Sequence, residues 1–284
     1  MSDITFVIFT YNEEQRIERV IRNFQGAGPI LVVDNHSADR TVEIAHSHGC
    51  QVLLNKNSGW VEDPITAGRV KEAVQTPWIY WGYADEIVDR ATLAKIIENI
   101  ADPGISVLQV YRKNYFYGRF CHEEYAHRMN RIFRKEAIDF SANKIHHFGR
   151  VTVAAARIRA LPKAYFVHHF ITYTAKGYLA ALDRYTDIEA EPSLAEPRFL
   201  RALAAACKAF VMGFIVQGGY KAGRAGLNLA LFQCANSLLG FIKKVERSQQ
   251  LTSVTIEETN NRVRDQLLAE LGSAAAVSKP TLAI

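Results

Sequence analysis

The chain lacks the usual glycine-rich phosphate signatures. It has no Gly-x-Gly-x-x-Gly and no Gly-x-x-x-x-Gly-Lys-[Ser/Thr], which excludes a dinucleotide fingerprint and a P-loop. Cysteine is scarce: Cys50, Cys121, Cys207 and Cys234 lie far apart with no Cys-x-x-Cys, the pattern of free thiols in a reducing cytosol. The N-terminus, Met-Ser-Asp-Ile-Thr-Phe-Val, has no basic leader and no long apolar stretch, so no signal peptide is expected there. There is no internal repeat and no low-complexity tract. Neither charge sign dominates. The net charge of +5 suits a polyanionic substrate or an anionic membrane surface and names neither. With 49% apolar and 22% charged residues, the 284-residue chain is globular, with length for one large core or a domain and an appendage.

What is present is an alternation of short apolar runs and amphipathic stretches. Ile4–Phe9, Ile30–Val33 and Gln51–Leu54 read as strands. Between them, Ile17, Val20, Ile21 and Phe24 fall at helical spacing, as does the stretch Thr41–His48. Strand–helix–strand units at this spacing predict an α/β fold with a parallel sheet, and right-handed crossovers place the loops after the strands at one edge. Those loops carry Tyr11 and Glu13 after the first strand, and Asp34 and Asp39 after the second. A ring and several carboxylates make a poor phosphate cradle, but they suit a nucleoside: the ring stacks on the base and carboxylates accept from N–H and ribose hydroxyls. As turn and helix-cap residues, Asp34 and Asp39 have a plain structural reading as well. A further buried run, Trp78–Trp81, ends in Asp85 and Glu86. Ligands gather outside the carboxyl ends of such strands, where a carboxylate can hold a hard cation and the cation a diphosphate. Arg69 and Lys71, in a helix before this strand, are candidates to face that diphosphate.

These motifs together resemble glycosyltransferase family 2. Thr-Tyr-Asn-Glu follows the first strand, Val-Val-Asp-Asn-His-Ser-Ala-Asp-Arg-Thr spans the second, and Trp-Ile…Ala-Asp-Glu the fourth. Within the family the chain is most similar to the lipopolysaccharide core β-1,4-glucosyltransferase type. The resemblance, over roughly Ile4 to Glu246, implies a GT-A, Rossmann-like domain using nucleotide-diphosphate sugars. Tyr11, Glu13, Asp34 and Asp39 would then hold the nucleoside, usually uridine. Asp85 would be the surviving carboxylate of the Asp-x-Asp metal site. Where the family usually reads Leu-Asp-Ala-Asp-Glu, this chain reads Gly82-Tyr83-Ala84-Asp85-Glu86. Tyr83, counted with the donor contacts, cannot supply the negative charge of the first Asp at neutral pH. Mg²⁺ or Mn²⁺ remains the expected cofactor, because such ions often need only one or two carboxylates besides substrate phosphates.

Arg112–Arg119 interleaves basic and aromatic residues, a pattern for sugar faces and phosphates; no nucleic-acid module surrounds it, so no nucleic-acid partner is expected. Arg128–Lys135 is similar to the family's Arg-Leu-Phe-Arg-Arg segment, and Ile145-His146-His147 stands where the family has Val-His-Glu. Arg131, Arg134 and His146 are therefore acceptor or phosphate contacts by resemblance, as is His169, which matches a histidine recurring in those enzymes. Inverting transfer needs a base for the acceptor hydroxyl. His147 takes the place of the family Glu, and Glu123 and Glu124 are its rivals. Zinc on His146, His147, His168 and His169 is disfavoured, because adjacent histidines rarely share one ion and no His-Glu-x-x-His is present.

Glu191-Pro192 and Glu196-Pro197 mark a boundary. From Arg198 to Arg247 there are eight Lys or Arg and one acidic residue, 8 − 1 = +7. Ala202–Val216 is cut by Lys208, and Ala225–Ile242 carries Asn228, Gln233 and Asn236. Both therefore read as basic amphipathic helices lying on an anionic membrane and not as spans of ~20 apolar residues. The expected organisation is a GT-A domain over 1–190, a membrane-apposed helical region over 191–250, and a helix with a loose tail over 251–284. The function implied is inverting transfer of a hexose, glucose from UDP-glucose foremost, onto a lipid-linked or lipopolysaccharide acceptor. The expected location is cytoplasmic, peripheral to the inner membrane. The alternative is a non-catalytic homologue binding a sugar nucleotide or glycan.

Overall fold

A computed structural model describes residues 3–57, 63–120, 128–141, 143, 148–189 and 197–277. The chain begins with β1 (Ile4–Thr10), α1 (Ile17–Phe24), β2 (Ile30–Asp34), α2 (Thr41–Ser47), β3 (Gln51–Leu54), α3 (Pro64–Ala73) and β4 (Trp78–Tyr83). β5 (Glu86–Val88), α4 (Arg90–Ile100) and the long strand β6 (Val107–Phe116) follow. Next come β7 (Arg119–Phe120), β8 (Arg128–Arg134), β9 (Ile138–Asp139), β10 (Arg150–Val151), β11 (Ile158–Ala160) and β12 (Phe166–Ile171). The helical remainder is α5 (Ala175–Glu189), α6 (Phe199–Phe210), α7 (Arg224–Ser248) and α8 (Ser253–Val277).

The main sheet runs β3-β2-β1-β4-β8-β6-β12-β5. β1, β2, β3 and β4 are parallel, and β8 lies antiparallel between β4 and β6. The order departs from β1 in both directions, towards β2 on one side and β4 on the other. That is the switch point at which open α/β sheets bind ligands. The helical spacing in the sequence translates directly: Ile17, Val20, Ile21 and Phe24 are the buried residues of α1. Phe24 stacks on Phe6 of β1 at 4.3 Å between ring centroids. Asp63 caps α3 by accepting from the backbone N–H of Ile65 and Thr66, with Pro64 at the first position, and Asp89 caps α4 by accepting from that of Thr92. β4 is the centre of the core, with Trp78, Ile79, Tyr80 and Trp81 all essentially inaccessible. It outlasts the apolar run by two residues. A Cβ on Gly82 would lie 2.5 Å from the Tyr80 ring, so that bulky ring requires glycine where the family pattern has leucine.

The basic-aromatic stretch Arg112–Arg119 continues β6 into a hairpin whose turn has Tyr117 and Gly118 at positive φ. π-helical turns over Val211–Val216 prolong α6 to the end of the apolar stretch. Phe199–Val216, mean hydropathy 1.9, and Arg224–Ser248, mean hydropathy 1.4, are both long and apolar enough to cross a membrane by length and composition. Lys208 and the three amides do not disqualify them, since the flanking residues outweigh them.

Ala222 of the turn between these helices, with Ala225 and Leu229 of α7, packs around Phe116 at the end of β6. Lys243 of α7 donates to Asp183 and Asp187 of α5 at 2.6 and 2.8 Å. The helical part is thus anchored at the carboxyl edge of the sheet.

Candidate donor and acceptor site

A cavity of about 930 Å³ opens at that edge. Its walls divide by origin. The loops after β1, β2 and β3 bring Tyr11, Glu13, Asn35, Asn55 and Asn57, and the end of β4 brings Tyr83, Ala84 and Asp85. β6 and β8 bring Arg112, Arg128 and Arg131; β12 brings His169; α5 brings Tyr178 and Tyr185.

Asp85 and His169 meet at the centre. His169 Nε2 is 3.1 Å from Asp85 Oδ2, and the other ring nitrogen, Nδ1, is 2.5 Å from Asn114 Oδ1. Asn114 therefore fixes the ring plane and aims Nε2 at Asp85. Burial pushes the Asp85 carboxyl up, but the hydrogen bond and charge of His169, with Arg16 and Arg112, outweigh it and hold the group below the usual carboxylate range. An ionised carboxylate beside an imidazole suits a divalent cation of the Mn²⁺ or Mg²⁺ kind completed by phosphate oxygens. Among the described residues, no group of three or more His, Cys, Asp and Glu is placed to hold a metal by itself.

Glu13 also lines the cavity, clamped by Arg16 at 2.5 and 2.8 Å. Burial pushes its carboxyl up to about 7 against the pull of Arg16, and the charges of Asp85 and Asp39 push the same way. The folded protein thus keeps this proton from its ordinary pKa of 4.5 up to about pH 7, where the unfolded chain has released it. Stability contributed by the group is complete below 4.5 and falls as pH rises through 7, by roughly 3 kcal/mol for a shift of this size. Urea unfolding at pH 5 and pH 8 should show that loss in the wild type and a flatter profile in Glu13→Gln. Equal pH slopes in the two proteins would refute it.

The other residues singled out in the sequence divide sharply. Tyr11, Tyr83 and Arg131 line the cavity with Glu13, Asp85 and His169. The Tyr83 ring lies 4.6 Å under the Arg131 guanidinium, so the position of the first Asp offers a platform for a cation instead of a charge. Asp34 and Asp39 do not line the cavity. Asp34 is fully buried and accepts from Thr10, the Ser37 hydroxyl and the Ser37 N–H. Asp39 accepts from Thr41 and from the Glu14 N–H, tying the first two loops together. The turn-and-cap reading is the one realised for both. Arg69 is directed elsewhere as well: it donates to Asn55 Oδ1 at 2.7 Å and to the Leu54 carbonyl at 2.9 Å, bracing the end of β3. Arg134 lies at the far end of β8, stacked over Trp78 and donating to the Ile105 carbonyl. Glu123, Glu124, His146 and His147 lie outside the described residues.

The sequence marks Glu86 beside Asp85 but assigns it no role of its own. Glu86 is 2% exposed, receives the Tyr83 N–H at 3.3 Å, and sits 3.5 Å from Arg112 and 3.4 Å from Arg131. Sequence reasoning missed Arg16, whose signal was its place three residues after Glu13. Trp81 lines the inner cavity, and its buried indole N–H has no partner among the described residues. The α5 wall had no local signal.

The family model for glycosyl transferase family 2 matches residues 5–163, more than half of the chain. The chain belongs to glycosyl transferase family 2. The parallel half-sheet, the switch point and the antiparallel β8 are the GT-A form of this family's α/β fold. An uncharacterized glycosyltransferase of Mycobacterium tuberculosis is 30% identical over 110 residues, covering 39% of this chain and 49% of that protein. Another, of Rickettsia bellii, is 35% identical over 88 residues, covering 31% and 29%. The chain thus spans half or less of the length of these curated relatives. Among solved structures it is similar to glucosyl-3-phosphoglycerate synthase from Mycobacterium tuberculosis in complex with Mn²⁺ and UDP-glucose, at 19% identity and TM-score 0.33, covering 39% of this chain and 44% of that one. Mannosyl-3-phosphoglycerate synthase from Rubrobacter xylanophilus is 21% identical at TM-score 0.34, covering 40% and 41%.

Proposed function

We propose that this family 2 member is an inverting glycosyltransferase. It takes a hexose, glucose from UDP-glucose foremost, to a lipid-linked or lipopolysaccharide acceptor. The observation that carries the reading is the Asp85–His169 pair, held by Asn114 at the carboxyl edge of the sheet, inside a cavity of the size small-molecule sites have, ~300–1,000 Å³. Tyr11 offers a ring to the nucleobase at the β1 side. Asp85 and His169 would hold Mn²⁺ or Mg²⁺ together with the diphosphate, and the ion would supply charge to the departing nucleotide. Arg131 lies on the Tyr83 ring beside that position. The base belongs to the acceptor side, where His147 and Glu124 are the candidates.

Calorimetric titration with UDP-glucose, with and without Mn²⁺, tests the reading, with UDP release as the activity readout. Binding that strengthens with Mn²⁺ and turnover in the presence of acceptor are expected. Binding without turnover would support the second reading, a non-catalytic homologue, which Tyr83 in place of the first Asp favours. No binding of any sugar nucleotide would sink the donor site altogether.

The helical part supports this acceptor class. Phe199, Leu200, Leu203, Val211, Ile215 and Val216 are exposed on one helix, within the segment Arg198–Arg247 of charge +7. Exposed apolar side chains with basic neighbours fit the headgroup region of an anionic bilayer, on the cytoplasmic side in this reading. The full chain should float with phosphatidylglycerol-rich vesicles and much less with phosphatidylcholine ones, and alkaline carbonate should release it. Retention in carbonate would turn peripheral helices into spanning ones; no flotation would remove the membrane from the proposal.

A further inference from the structure

We infer that α8 pairs side by side with α8 of a second copy of this chain, running antiparallel, through a stripe formed by Ile256, Asn260, Val263 and Leu267.

α8 starts from its own cap. Thr252 Oγ1 accepts from the Thr255 N–H at 3.1 Å, and Thr255 Oγ1 accepts from the Thr252 N–H at 2.9 Å. No glycine or proline interrupts the helix before Gly272. Among the described residues nothing packs along it: every residue from Ser253 to Glu270 is exposed. A lone helix is marginal in water, and packing of one face supplies most of its stability. The face on offer is narrow. Ile256, Val263 and Leu267 recur at i, i+7 and i+11, within about 40° of one another around the axis. They are 47%, 51% and 55% exposed, and Asn260 stands between them. Val254 and Leu268, exposed as well, lie ~100° or more from this stripe.

Charge selects the occupant. Ser253–Val277 holds Arg262 and Arg264 against Glu257, Glu258, Asp265 and Glu270, 2 − 4 = −2. That sign is opposite to the +7 of Arg198–Arg247 and unsuited to an anionic bilayer. A two-fold dimer needs a patch that complements itself. Glu257 and Arg264 share one flank of the stripe, since Arg264 Nη1 reaches Glu257 Oε1 at 2.7 Å, two turns away. In an antiparallel pair that flank meets its own copy. Glu257 then faces the partner's Arg264, and Arg264 faces the partner's Glu257. In the same register Ile256 lies against the partner's Leu267, and Asn260 against the partner's Val263. A parallel pair would set this flank against the opposite one, with Thr259 and Gln266, and would form no charge pair there. Asn260, a polar residue within an apolar stripe, lowers stability and fixes the register, as single polar positions do in paired helices.

Three large apolar side chains per copy are few, so the dimer is weak in solution, with a Kd on the order of 10 µM. Sedimentation of the full chain from ~1 to ~100 µM should show monomer passing to dimer. Val263→Asp, at an exposed site, should leave the thermal melt unchanged and the chain monomeric throughout. Glu257→Arg and Arg264→Glu alone should each weaken the dimer about tenfold, because two attractions become repulsions. Mixed in equal amounts, these two variants should associate with each other at close to the wild-type affinity, and the double variant should do so with itself. A wild-type chain that stays monomeric up to ~100 µM overturns the inference. So does a dimer that survives Val263→Asp, since another surface would then hold it. A mixture no tighter than its components would remove the antiparallel arrangement. Val263→Asp lowering flotation with vesicles while the mass is unchanged would assign α8 to the bilayer instead.

Discussion

Asp85→Ala is expected to reduce turnover by about three orders of magnitude while leaving the thermal melt close to that of the wild type. Removing one preorganised electrostatic group from a transition state typically costs ~10²–10³ in rate, and a carboxylate proposed to hold the cation belongs at the upper end of that range. No neighbour can take over. Glu86, the next residue, is buried and engaged with Arg112 and Arg131. Tyr83 stands at the position of the first Asp and carries a ring. Glu13 is clamped by Arg16, with its carboxyl up at about 7. The fold has little to lose, because among the described residues the Asp85 carboxylate has only His169 as a hydrogen-bond partner, and it faces a cavity. UDP release over a range of Mn²⁺ concentrations measures both kcat and the metal requirement. His169→Ala should lose less, on the order of tenfold, since it withdraws one of two donors and leaves the charge. Asp85→Ala turning over within threefold of the wild type would show that the diphosphate is neutralised by the arginines alone, and the cation would leave the proposal.

That prediction could be framed from the sequence, and the reason is physical. An apolar run such as Trp78–Trp81 has no place except inside a sheet, and the residues after it must emerge at the carboxyl edge. Helix faces were equally legible, because Ile17, Val20, Ile21 and Phe24 repeat at the helical period and all four are buried. Side-chain duties within a loop were not. Asp34 and Asp39 are carboxylates in the expected loops, yet both close local hydrogen bonds with Ser37 and Thr41. Nothing in a sequence distinguishes a carboxylate that caps a turn from one that faces a ligand, since both want the same neighbours. Glu86 was hidden for the opposite reason. Its partner Arg131 is 45 residues away, and only the antiparallel insertion of β8 next to β4 brings the two together. Arg69 and Arg134 illustrate the same limit: each is a long side chain near the site in sequence terms, and each finds carbonyl oxygens within its own half of the sheet. The α5 wall depends on α7, which reaches it from 60 residues further along the chain through Lys243.

The dependence of that wall on α7 can be broken at a single atom. In Gly226→Ala the new Cβ would lie 1.9 Å from the Gly219 carbonyl oxygen, 2.7 Å from its carbon and 3.2 Å from its Cα. All three are backbone atoms, so no rotamer change relieves the overlap and α7 has to withdraw from the turn. Overpacking of this kind costs ~1–3 kcal/mol and more when backbone must move. A loss of about 3 kcal/mol corresponds to a Tm roughly 6–12 °C lower for a domain of this size. Gly68→Ala is the matched control: it lies inside α3, a Cβ there meets nothing within 4 Å, and alanine should stabilise the helix by ~0.5–1 kcal/mol. The functional consequence follows the packing. As α7 withdraws, Ala225 and Leu229 leave Phe116, and Lys243 loosens its hold on Asp183 and Asp187 of α5. Tyr178, Ala181, Leu182 and Tyr185 then no longer hold their wall of the cavity, whereas the loops after β1, β2 and β3 are untouched. Gly226→Ala should therefore lose turnover several-fold with UDP affinity within twofold of the wild type, read by calorimetry on the same preparation. A Tm within about 2 °C of the wild type would mean that the turn yields without cost and that α7 is no brace for the site.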